Sequence, residues 1–224
     1  GMDILCHALE SYTAKPYTEF AAKRAEERVP YCGANPISDM WSREAVRLLA
    51  TSFRTAVADG DDVDARGAMA LAATFAGMGF GNAGVHVPHA CAYPIAGMVR
   101  DFRPDGYDAD HPMVPHGMAV AMTAPAAFAL LYPADPGRHH ELAALLEPDT
   151  AGSDLGCDAL PDALRRLMRD IGLPNGLVAL GYSSSDLPQL VDGAMKQQRL
   201  LATAPVDITE TDVERVLRDS MTLW

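Results

Sequence analysis

The chain has 224 residues, 49% of them hydrophobic and 21% charged, with 18 Lys and Arg against 30 Asp and Glu for a net charge of −12. That length supports one large domain or two small ones with a sizeable core. The acidic balance argues against a phosphate backbone or an anionic membrane surface as partner.

Cys6, Cys32, Cys91 and Cys157 form no C-x-x-C pair, so they read as reduced thiols rather than a zinc knuckle or a redox dithiol. No charged-then-apolar leader stands before Met2, and no run approaches the roughly 18 apolar residues of a membrane span. The expectation is a soluble, cytoplasmic chain with neither nucleic acid nor membrane as partner.

In chain order, Ile4, Leu5, Ala8 and Leu9 recur at helical spacing from Asp3 to Thr13, and Pro16 ends that helix. Residues 17 to 35 mix charge, Pro30 and Gly33 without a period and read as a long loop. Glu44, Ala45, Leu48, Leu49 and Phe53 predict a helix from Ser38 to about Ala58, and Asp59-Gly60-Asp61-Asp62 stops it and caps the next. Asp64 to Gly77 is apolar nearly all round and reads as the central buried helix, with Met69, Met78, Met118 and Met122 as core filling. Gly77, Gly79, Gly81 and Gly84 then loosen it.

A helix over Val87 to Gly97 must tolerate Pro88 and Pro94, the first of which suits a first turn. Further helices are predicted from Gly117 to Leu131 with a bend at Pro125, and over 138 to 146, 159 to 171, 185 to 202 and 209 to 222, with a polar connector from Asp149 to Asp158. No segment alternates as a strand does. The predicted fold class is all-α, a multi-helix bundle forming a single domain over residues 1 to 224.

Five of the seven histidines (His7, His86, His89, His111 and His116) fall in the first helix or between Phe80 and Gly117. Asp3 and His7, spaced i and i+4, share one helix face. With His89 and His116 they form one carboxylate and three imidazoles, a mixed O/N set that suits a divalent first-row metal such as Fe, Zn, Co or Ni. His86 reads either as an orienting partner of a ligand or as a packed ring, and Glu10 as an orienting or helix-surface carboxylate rather than a fifth ligand. Tyr93 reads either as a proton relay from a substrate alcohol or as a buried space-filling ring. His111 and the pair His139-His140 read as solvated.

Gly1-Met2-Asp3-Ile4-Leu5-Cys6-His7-Ala8-Leu9-Glu10-Ser11-Tyr12 resembles the G-x-D-x-x-x-H-A-x-E-x-Y segment of the iron-containing alcohol dehydrogenases. Gly77 to Gly84, Pro88-His89 and Pro115-His116-Gly117 match that family's later ligand segments in the same order. Tyr93 in place of a histidine, insertions over 17 to 35 and 100 to 114, and Gly33-Ala34-Asn35-Pro36-Ile37-Ser38-Asp39 are similar to the hydroxyacid-oxoacid transhydrogenase branch.

The resemblance implies a helical domain of the dehydroquinate synthase-like kind that binds its catalytic metal through Asp3, His7, His89 and His116. It implies a nicotinamide beside Phe80, although an aromatic in a glycine-rich turn is also ordinary packing. It further implies hydride transfer from 4-hydroxybutyrate to 2-oxoglutarate, and an NAD(P)-binding α/β domain that this chain lacks, so that the chain alone is expected to be inactive in hydride transfer. Small hydroxy acids or alcohols are the expected partners, with Arg100, Arg103, Lys196 and Arg199 as candidate carboxylate anchors, and self-association into a homo-oligomer is expected. Two other readings stay open: a truncated non-catalytic metal-binding or assembly module, and a metal-activated hydrolase.

Overall fold

The computed structural model describes residues 1–148 and 156–224. Most of the expected connector Asp149 to Asp158 lies outside the described residues. Among the described residues, eleven α-helices run in the order α1 (Met2–Thr13), α2 (Pro36–Ala58), α3 (Val63–Ala83), α4 (Val87–Gly97), α5 (His116–Leu131), α6 (Pro136–Leu146), α7 (Ala159–Asp170), α8 (Gly176–Ala179), α9 (Leu187–Met195), α10 (Gln198–Leu201) and α11 (Glu210–Asp219). Among the described residues there is no strand, only an isolated bridge between Pro16 and Ala34 that staples the two ends of the long loop.

The helix starts follow from their caps. Asn35 accepts from the Ile37 and Ser38 amides ahead of Pro36, Asp62 accepts from Ala65, and Thr209 closes a capping box with Asp212. Glycines do not end α3, which runs on through Gly77, Gly79 and Gly81 to Ala83. Gly79 is where α1, α2 and α3 press together: a Cβ there would stand 2.6 Å from Ser42 Oγ and 3.3 Å from Ser11 Oγ. The break comes at Gly84, whose φ of +98° suits glycine, and α4 departs from α3 at 106°.

The buried centre is α5, not the expected α3. Every residue from Ala119 to Phe128 is buried in α5, whereas α3 buries only Ala65, Ala72, Ala76, Gly79 and Ala83. Val63, Leu71 and Met78 of α3 are 77%, 45% and 46% exposed. Apolarity all round a helix does not say which face the fold covers, and here only the small-residue face is covered.

The span His116–Ala134 is long and apolar enough to cross a membrane by composition, contrary to the sequence expectation. It packs instead against α1, α4, α7 and α11. Pro94 and Pro125 both sit inside continuous helices. The predicted helix over 185 to 202 is divided, because Lys196 and Gln197 step out between α9 and α10. His139 is 2% exposed and bonds through Nδ1 to the Asp135 carbonyl, so it belongs to the core rather than to the solvated face expected for it.

Candidate metal centre

Asp3 and His7 project from one face of α1, His89 from the first turns of α4 and His116 from the first residue of α5. The bend at Gly84 turns the chain so that α4 brings His89 back over α1. Asp3 Oδ1 lies 3.4 Å from His89 Nε2 and 3.7 Å from His116 Nε2, and Asp3 Oδ2 lies 3.8 Å from His7 Nδ1. One ligand atom from each of Asp3, His7 and His89 falls within 4.8 Å of the others.

Donor atoms about 2.0–2.2 Å from one cation in tetrahedral array stand roughly 3.3–3.6 Å apart, so this spacing suits a first-row ion. The buried Asp3 Oδ1 and His89 Nε2 also have no hydrogen-bond partner. The two atoms approach as an ion pair without making a hydrogen bond, a shared cation would satisfy both, and the donor set therefore fits a divalent metal.

The rings are packed into place. His7 is stacked between Phe80, at 3.9 Å and 11°, and His89, at 4.5 Å and 26°. His116 meets His89 edge-on at 5.4 Å and is half-exposed. Tyr93 lies edge-on to His116 at 6.1 Å and is 46% exposed, so it stands at the mouth of the cluster rather than filling a buried space. Phe80, half-buried, has His7 as its stacking partner.

Behind His89 lies Glu10, at 0% exposure. Its Oε2 pairs with His89 Nδ1 at 2.5 Å, and its Oε1 accepts the backbone N–H of His86 at 2.8 Å and of His89 at 3.3 Å. His86 is also fully buried, with Nε2 3.1 Å from Thr13 Oγ1. It therefore stands one layer behind the cluster, out of reach of a bound substrate.

Burial works against a positive His89, but the Glu10 and Asp3 carboxylates outweigh it and push its pKa up to about 9. Burial, reinforced by the neighbouring His89, lowers His7 to about 4, and burial lowers His86 to about 4 against the pull of Glu10. Burial alone would raise Asp3, yet the three imidazoles hold it below the usual carboxylate range.

The cations proposed as carboxylate anchors are engaged elsewhere. Arg100 pairs with Asp186 and Lys196 with Asp192, Arg103 donates to the carbonyls of Ala109 and Asp110, and Arg199 lies over the Tyr31 ring. His111 is exposed beside Asp110, as read from its loop.

Gly117 follows His116 because α5 meets α1 there: a Cβ would stand 2.8 Å from Asp3 Cβ and 3.0 Å from Asp3 N. Gly117→Ala is expected to part Asp3 from His116 and to weaken metal binding by roughly 10–100-fold, the range typical when a ligand loses its support. Competition with a coloured chelator measures it, and unchanged affinity refutes it.

The chain matches the family model described as "Fe-containing alcohol dehydrogenase family, C-terminal" over residues 24–221. It is 44% identical over 228 residues to the mitochondrial hydroxyacid-oxoacid transhydrogenase of Rattus norvegicus, covering 100% of this chain and 49% of the relative. A probable transhydrogenase of the same name from Dictyostelium discoideum is 40% identical over 230 residues, covering 100% of this chain and 42% of the relative.

Among solved structures, a 1,3-propanediol oxidoreductase superposes with a TM-score of 0.79 at 29% identity, over 98% of this chain and 50% of that one. An alcohol dehydrogenase from Oenococcus oeni gives 0.77 at 28% identity, over 98% of this chain and 50% of that one. The chain thus spans about half the length of the curated relatives it matches. Those relatives are mitochondrial in rat, cattle and human, which overturns the cytoplasmic expectation.

Proposed function

Because the chain belongs to the iron-containing alcohol dehydrogenase family, through that family's C-terminal domain, we propose that it is the metal-holding half of a hydroxyacid-oxoacid transhydrogenase. In the whole protein a hydride would pass between a hydroxy acid such as 4-hydroxybutyrate and a 2-oxo acid. Asp3, His7, His89 and His116 would hold the divalent ion, with Fe2+ favoured by the family and Zn2+, Co2+ or Ni2+ also compatible with one carboxylate and three imidazoles. Such an ion, when bound, supplies Lewis acidity toward an alcohol or carbonyl oxygen.

The remaining roles belong to the chain's own side chains. Phe80 and His89 fix the His7 ring between them, while Glu10 and the backbone of α4 fix His89. Tyr93, at the mouth beside His116, would take the hydroxyl proton of a bound substrate on its oxygen and pass its own phenolic proton to solvent. Among the described residues no glycine-rich turn joins a strand to a helix, and a nicotinamide would approach on the Phe80 side.

The observation that carries the reading is a pair of buried atoms, Asp3 Oδ1 and His89 Nε2, that face each other at 3.4 Å with no hydrogen bond made by either. The test uses the full-length protein containing this chain, loaded with Fe2+ and given 4-hydroxybutyrate deuterated at its carbinol carbon together with 2-oxoglutarate. Deuterium is expected at the carbinol carbon of 2-hydroxyglutarate without exchange with water. Its loss to solvent, or no product, overturns the proposal.

The exposed Val63, Leu71 and Met78 of α3 support self-association of the chain as well. Light scattering is expected to give more than the monomer mass, and a clean monomer refutes it.

A further inference from the structure

Glu10 has three nitrogen partners on its two oxygens. The backbone amides of His86 and His89 both converge on Oε1, at 2.8 and 3.3 Å, and only the His89 ring reaches Oε2, at 2.5 Å. Amides of the main chain can only donate, so they pin the carboxylate's rotation and leave Oε2 a single partner, His89 Nδ1.

We propose that Glu10 is a positioning residue: it holds His89 in the tautomer that carries its proton on Nδ1, so that the Nε2 lone pair faces Asp3 Oδ1. The inference rests on the proposed metal site and says what makes His89 a competent donor to it.

Which imidazole nitrogen keeps the proton is set by the hydrogen bond the other makes. His89 cannot escape by turning its ring, because His7 stacks on it at 4.5 Å and His116 meets it edge-on at 5.4 Å. With its orientation fixed, only the position of the proton separates a ring that can donate a lone pair toward Asp3 from one that points an N–H there.

Glu10→Gln isolates that choice. The amide keeps the volume of the acid but has one acceptor oxygen, and the two backbone N–H groups claim it. The amide nitrogen is then left facing His89 Nδ1 as a donor, which requires a lone pair on Nδ1 and moves the proton to Nε2.

The test compares the chain and its Glu10→Gln variant by Zn2+ affinity in chelator competition and by nitrogen-15 NMR of the histidine rings in metal-free protein titrated up to pH 10 and read once the His89 shifts no longer move. Expected are an Nδ1–H ring in the original protein, an Nε2–H ring in the variant, and Zn2+ binding weaker by about 10–100-fold. A variant with affinity within about twofold of the original, or one whose His89 keeps its proton on Nδ1, overturns the proposal.

If Glu10→Gln does not fold, the original protein decides alone: an Nε2–H ring at pH 10 refutes the role and an Nδ1–H ring supports it. An original chain that binds no Zn2+ sinks the metal site instead, and the pH 10 spectrum still judges Glu10. A purely structural carboxylate would change the melting temperature without moving the proton.

Discussion

His89→Ala is expected to abolish metal binding and to destabilise the fold at the same time, a combination that no other ligand substitution should produce. Among the described residues, His89 Nδ1 is the only side-chain atom within hydrogen-bond distance of Glu10, a carboxylate at 0% exposure. Truncating the ring leaves that charge facing a hole in a low-dielectric interior. Breaking a buried pair from one side typically costs about 3–5 kcal/mol.

His116 is half-exposed, and its removal strands no buried charge. His116→Ala is therefore expected to weaken the metal with little loss of stability, whereas His89→Ala should lose both. Metal content by elemental analysis and urea melts of the two variants in chelator check this. Equal stability of the two variants, or undiminished metal in His89→Ala, would refute it.

The same contrast shows what could be read from the residues and what could not. Asp3 and His7 at i and i+4 declare a shared face, and Pro88 ahead of His89 declares a first turn, so the candidate ligand positions on α1 and α4 are legible in the residues themselves. Glu10 was legible only in part. It stands seven residues after Asp3 and three after His7, which continues their face, but the same spacing would put a carboxylate on a solvated surface.

What meets Glu10 is the start of α4, whose His86 and His89 amides and His89 ring reach its two oxygens, and their position follows the Gly84 bend, a tertiary fact with no local periodicity. The misreading of α3 has the same origin. Ala72, Ala76, Gly79 and Ala83 are buried, with Gly79 against Ser11 of α1 and Ser42 of α2, while Leu71 and Met78 lie on a face left 45% and 46% exposed. Sequence periodicity locates a helix and its apolar faces, and neighbours decide which face is covered. The prolines of α4 and α5 mislead in the opposite sense, since packing on both sides holds each helix continuous through a residue that would break it in isolation.

Metal binding by this chain is expected to release close to one proton at pH 8 and none at pH 10. Without metal, His89 sits between two carboxylates with its pKa raised to about 9, so at pH 8 an incoming cation must displace its proton. His7, lowered to about 4, is already neutral and contributes none. Apparent affinity should therefore climb about tenfold per pH unit between the ordinary histidine value and 9, and level off above it.

The stability of the metal-free chain should move the other way across that window. A folded-state pKa above the unfolded value of 6.5 gives stability that is complete below 6.5 and lost as pH rises through 9. His7 and His86, both lowered to about 4, set the acid limb: the unfolded chain takes up their protons below 6.5 while the folded chain does not, so stability also falls from 6.5 toward 4.

Melting temperature in chelator should thus peak near pH 6.5, while the increment that Zn2+ adds to it should grow from pH 6.5 to 9. Calorimetry in buffers of different ionisation enthalpy counts the protons. A count of zero at pH 8, with Zn2+ bound, would mean that the ion does not take the nitrogen now held between Asp3 and Glu10. The convergence of those two carboxylates on one imidazole would then have to be explained as an ion-pair network with no metal in it.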